Sequence, residues 1–214
     1  MPGTGSRPPA NPIVKRNHRC QARLCGAAVL LAATLATGAG AAGPKTRVTV
    51  YRAFEQGRLA PGLTIARTAR GYCWEGSIAD QRSDAWRCFI GNVIVDPCFS
   101  DRQARGWVAC PAEGSPFDRR LIRLRLTKAL PKELGNHGTP GTGDPWAVKL
   151  ADGRECTFLT GATSAYHGRR ISYGCTRTVF LAGSPNRRRP AWTIVLGRGQ
   201  NAPSRTVSIA VAAW

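Results

Sequence analysis

The chain has 214 residues, with 31 Lys and Arg against 12 Asp and Glu, a formal charge of +19. This balance points to anionic partners and away from acidic solvating proteins. After the first forty residues, no apolar run reaches the ~20 residues that a membrane-spanning helix needs.

Residues 1–41 read as a cleaved secretory signal. Arg7, Lys15, Arg16, Arg19 and Arg23 form a basic start without acids, the apolar run 24–36 follows, and Ala39-Gly40-Ala41 has the small-residue form that signal peptidase recognises. Cys25 lies at the start of the apolar run rather than beyond it, which argues against a lipoprotein site. Processing removes five basic residues and no acidic ones, so the expected mature chain, 42–214, has 173 residues and a charge of +14. That length suits a single domain with its own core, and with no later apolar run long enough to span, no transmembrane anchor is expected after processing. The location expected is secreted or extracytoplasmic.

The mature part is punctuated by Gly and Pro between short β-type runs. These fall at 47–51, 63–66, 88–90, 92–95, 107–110, 121–126, 146–150, 156–160, 171–175, 192–196 and 205–212. The pattern predicts a mainly β, disulfide-stapled single domain of short antiparallel strands, a sandwich or a barrel, with one short helix. The helix is placed at 78–86, with Asp80 or Ser83 as its cap. In 121–126, Ile122, Leu124 and Leu126 alternate with Arg123 and Arg125, as in a half-buried strand. Asp152-Gly153 offers a hairpin turn, and Asp96-Pro97 offers a turn ahead of Cys98. Residues 135–145 form a Gly/Pro/Thr loop.

Six cysteines stay in the mature chain: Cys73, Cys88, Cys98, Cys110, Cys156 and Cys175. An even number in an exported protein reads as disulfides, and six allow fifteen connectivities. Nearest-neighbour pairing is preferred, because the six fall into three local couples that can each close within a hairpin or short loop. Metal binding is not expected: the spacings 15, 10 and 12 from Cys73 to Cys110 lack a close C-x2-C pair, and no His lies among them. Trp74 and Trp86 adjoin these cysteines and read as rings packed on a disulfide, with sugar stacking as the functional alternative.

No cofactor motif and no catalytic residue is assigned. The mature chain has two histidines, His137 and His167, and lacks both a G-x-S-x-G elbow and an H-E-x-x-H helix. A secreted hydrolase of an anionic polymer, with Glu155, His167 and Arg170 as base, acid and clamp, is the alternative function. The leading expectation is a non-enzymatic envelope or extracellular binding module. Its candidate anion-binding residues are Arg187, Arg188 and Arg189, in a loop between prolines, and the pair Arg169 and Arg170. The partners expected are an anionic cell-wall polymer, a glycan or lipid head groups, and no specific nucleic acid.

The segments Gly71-x-Cys73-Trp74-x-x-Ser77, Asp84-Ala85-Trp86-Arg87-Cys88 and Asp96-Pro97-Cys98-Phe99 resemble those of a group of uncharacterised exported bacterial proteins, mainly actinobacterial. The likeness continues through Trp146-Ala147, Cys156-Thr157-Phe158 and Tyr173-Gly174-Cys175 to Trp192. It implies export and a disulfide framework, and it carries over no catalytic residue.

Overall fold

The structure, a computed structural model, describes residues 43–132, 143–176, 178–199 and 202–214. The signal segment 1–41 and His137 lie outside the described residues. Among the described residues every regular element is a strand.

The chain enters through β1 (Arg47–Thr49) and a small hairpin of β2 (Phe54–Glu55) and β3 (Arg58–Leu59). A five-stranded barrel follows: β4 (Thr64–Gly76), β5 (Ala85–Ile90), β6 (Val93–Phe99), β7 (Trp107–Pro111) and β8 (Arg120–Leu126). Successive strands are antiparallel, and an odd number of them forces the closing pair, β4 with β8, to be parallel. β4 is long enough to serve two neighbours. Thr64 to Gly71 pair with β8, and Gly71 to Gly76 pair with β5.

The second body holds β9 (Ala147–Leu150), β10 (Glu155–Phe158), β11 (Ala165–Tyr166), β12 (Arg169–Gly174), β13 (Val179–Asn186), β14 (Thr193–Arg198) and β15 (Arg205–Ala213). Its order runs β15-β14-β13-β12-β10-β9, and β9 also pairs with β15, so these strands close a second ring. Closure leaves neither body with a free edge along the ring. β1 adds to β15 in parallel, and β11 adds to β12.

Each ring has its own core. Cys73, Trp86, Cys88, Cys98, Val108, Cys110, Ile122 and Leu124 fill the first, and Val148, Leu150, Tyr173, Leu181, Leu196 and Ile209 help fill the second. A third cluster joins them: Phe99, Ala109 and Leu121 from the first ring meet Trp146, Ala147 and Ala213 from the second. β8 therefore buries Ile122 and Leu124 inside its barrel as the alternation predicts, while Leu121 on the opposite face is buried against the neighbouring body.

The cysteines pair as Cys73–Cys88, Cys98–Cys110 and Cys156–Cys175, the nearest-neighbour arrangement. The bridges link β4 to β5, β6 to β7, and β10 to the residue that follows β12.

The predicted helix at 78–86 is not formed. Residues 77–84 are a looped turn and Ala85 starts β5. Side chains have taken the amides that a helix would use. The Ser77 hydroxyl accepts from Asp80 N at 2.8 Å, the Asp80 carboxylate accepts from Arg82 N at 3.3 Å, and the Asp96 carboxylate accepts from Ile78 N at 3.2 Å. Ser and Asp compete with helix in this way. Asp96-Pro97, expected as a turn, instead remains within β6. The pairs Trp86↔Cys98 and Cys88↔Val95 set two residues, Asp96 and Pro97, against Arg87 alone, which makes a β-bulge. The Asp96-Pro97 peptide is cis. Asp152-Gly153 does turn a hairpin, through a loop in which Gly153 takes φ +88° and donates to Leu150 O.

Candidate anion-binding groove

The basic residues singled out in the sequence have varied roles. Arg187 follows β13 and its guanidinium lies 4.9 Å from the Trp192 ring and 5.1 Å from the Trp214 ring. It also donates to Gly143 O and, at 3.3 Å, to Asp144. Much of its binding capacity is thus spent within the fold. Arg188 and Arg189 are exposed. Arg170 donates to Leu159 O at 2.7 Å and Gly161 O at 3.0 Å while packing over Phe158, and Arg169 is exposed beside it.

Glu155, His167 and Arg170 have separate partners. Glu155 accepts from Ser115 Oγ at 2.8 Å and Lys149 Nζ at 3.2 Å. His167 sits with Gly168 at the exposed tip of the β11–β12 hairpin, both with positive φ, and its ring contacts Tyr166. The two-residue turn needs those positive angles.

Behind β5 lies a knot of buried charge. The Asp96 carboxylate accepts from the Ser77 hydroxyl and lies 3.7 Å from Arg87 Nε. Burial pushes its carboxyl above the usual carboxylate range; the Ser77 hydroxyl, the amides of Ile78 and Ala79, and Arg87 oppose that rise. Asp80 is raised in the same way by burial, against the pull of Arg82. Arg82 is 9% exposed, meets Asp80 at 3.0 Å through Nε, donates to Tyr51 O at 2.8 Å, and packs 4.8 Å from the Phe99 ring. This knot fixes the 77–84 loop, and Arg82 forms part of the wall of the cleft beside it.

That cleft, of about 500 Å³, opens between residues 52–54, the 82–84 turn and the β6–β7 loop. A second cleft of about 570 Å³ lies beside it, between the same β6–β7 loop and the segment after β8. Both are lined by Ser100, Asp101 and Arg102, so the two clefts adjoin at this stretch of the β6–β7 loop, two parts of a candidate groove. Arg52 and Lys132 stand in the first part, Arg102 at the junction, and Arg105 and Lys128 in the second. All five are exposed, and none is in an ion pair among the described residues. The acids of the groove are engaged: Asp84 lies 3.6 Å from Arg82, and Asp101 accepts from Gln103 N at 2.8 Å. Trp107, half-buried, gives the second part an aromatic wall and is held by Phe54 at 4.9 Å and Arg123 at 4.7 Å. Gly106, at φ +80°, lets the loop turn into β7 there.

This groove was not among the residues picked from sequence, yet two signals point to it. Asp101-Arg102-Gln103-Ala104-Arg105-Gly106-Trp107 interleaves basic and aromatic residues in a loop. Lysine is rare beyond residue 41, with only Lys45, Lys128, Lys132 and Lys149, and two of the four stand in the groove.

Compared with protein-family models, curated proteins and solved structures, the chain matches none.

Proposed function

We propose that the protein is an exported, non-enzymatic binding module that holds an anionic polymer along this groove. The observation that carries the reading is the adjacency of two clefts that share the 100–102 stretch and whose five exposed cations lack ion-pair partners among the described residues, while both carboxylates beside them are engaged. A single small anion needs one pocket, whereas a row of separated cations suits a strand with repeating charge. Arg at the junction suits carboxylate or phosphate, since its planar fork can make two parallel hydrogen bonds. Export rests on the basic, apolar and A-x-A pattern of residues 1–41, and three disulfides are consistent with an oxidising compartment.

The test is binding to linear polyanions, a polyphosphate and a polyuronate, over a salt series. Each lost contact should lower the salt slope by roughly 0.7, the single-strand coefficient. Arg102→Ala/Arg105→Ala is expected to lower it by about 1.4 on whichever polymer binds. Arg188→Ala/Arg189→Ala is expected to leave it unchanged. The opposite result would move the site to the 187–189 loop, and no binding to either polymer would end the reading.

A further inference from the structure

The first barrel carries an unusual outer face next to this groove. Cys73 and Cys88 point inward and are almost fully buried, so their strand neighbours Tyr72 and Phe89 point outward. Tyr72 pairs with Phe89, and Phe89 pairs with Ile94, which lays one apolar row across β4, β5 and β6. Neighbouring strands are ~4.8 Å apart, so the row is about 10 Å long. Trp74 stacks on Phe89 at 4.4 Å with 26° between the planes. These rings keep part of their surface in solvent, and Ile94 is 45% exposed.

Cations stand over two of the rings. Lys128 of the groove lies 4.3 Å above the Tyr72 ring centre, and Arg87, paired with Glu75 at 3.0 Å, lies 5.4 Å from that of Trp74. On the neighbouring pair of positions, Arg70 of β4 faces Arg125 of β8 in register. Both are exposed and neither is in an ion pair among the described residues. Like charges placed opposite each other repel, and an anion between them would remove that penalty.

We infer that the bound polymer is a carboxylated glycan, whose sugar rings lie against the solvent-facing part of the Trp74–Phe89 stack, a platform edged by Tyr72, while its carboxylates meet Lys128, Arg70 and Arg125. This deepens the groove reading and rests on it. Lys128 belongs to both surfaces, so a strand leaving the groove passes directly onto the platform. The chemistry selects the ligand. A pyranose ring has an apolar C–H face that aromatic rings attract, and a carboxylate at its edge suits Arg and Lys. A polyphosphate has charge but no apolar face, and the rings give it nothing.

The experiment compares a polyuronate with a polyphosphate at matched charge and ionic strength, using the folded wild-type protein and the variants Trp74→Leu and Phe89→Leu. Leu keeps apolar bulk over β5 and removes the flat ring, and a thermal melt confirms that each variant folds. The wild type is expected to bind the polyuronate more tightly. Each Leu variant is expected to lose about tenfold in polyuronate affinity and nothing in polyphosphate affinity. Should either variant unfold, the ratio of wild-type affinities for the two polymers decides alone. Equal affinities, or Leu variants that bind the polyuronate as well as wild type does, overturn the glycan assignment while leaving the groove intact. Binding to anionic lipid vesicles and to neither polymer overturns both.

Discussion

The Ser77 hydroxyl donates to the Asp96 carboxylate across 19 residues of chain, tying the loop ahead of β5 to the bulge in β6. A buried carboxylate is thereby placed beside Arg87.

A pH dependence follows from it. Burial raises the folded-state value of Asp96 above that of the unfolded chain, near 3.9. The folded form then holds this proton more tightly than the unfolded form. Its contribution to stability is fully present below the unfolded value and is lost as pH rises through the folded one. Asp96→Asn should remove this contribution, so the melting temperature of wild type minus that of the variant should increase as pH falls from 7 to 4. Asp80 is displaced in the same direction, so part of the pH dependence should remain in the variant. Superimposable melting curves for the two proteins across that range would contradict the assignment.

Arg82 and Asp80 should behave as one unit. Arg82→Ala leaves the Asp80 carboxylate buried without its cation, a change that costs about 3–5 kcal/mol. The exposed Arg102→Ala should stay within about 0.5 kcal/mol of wild type. Denaturant titration of Arg82→Ala, Asp80→Asn and the double variant measures the coupling, and additive effects would show that the pair is energetically independent.

The Cys156–Cys175 bridge closes a sequence separation of 19 and belongs to the second ring alone. Replacing both cysteines with Ser should cost roughly 3 kcal/mol in the chain-entropy account. Peptide mapping without reduction should recover 73–88, 98–110 and 156–175 linked pairs. Any other pairing would contradict this framework.

Arg187 should matter for stability and its neighbours should not. Arg187→Ala removes the contacts to Trp192, Trp214 and Asp144 and is expected to cost about 1–2 kcal/mol. Arg188→Ala and Arg189→Ala should be neutral in the same thermal melts. Equal effects from all three would dissolve the distinction.

The parts of this fold that can be read from residues are the parts set by local pattern. The alternation at 121–126 is one, and the three cysteine couples are another. The long strand β4 escapes because Arg67, Thr68, Arg70 and Gly71 break its apolar pattern: half of it faces solvent on the outside of a barrel. β13 escapes because Gly183 and Pro185 look like turn signals, whereas Gly183 takes φ +74° beside a register shift within the strand. The 77–84 loop reads as a helix until Asp96, distant in sequence, takes up its first amide and hydroxyl. The groove is hidden for a related reason, since it is assembled from segments near 52, 84, 102 and 128 that no single window contains.

The first barrel also has a place in time. All its strands lie between Thr64 and Leu126, so on a growing chain it can close before Ala147 of the second ring is made. Its two disulfides lie wholly within that span. Yet Ala109 and Leu121 receive their cover from Trp146 and from Ala213 in the last strand. A first barrel that closes early therefore leaves an apolar patch uncovered until β15 is made, an interval in which the nascent protein is prone to self-association.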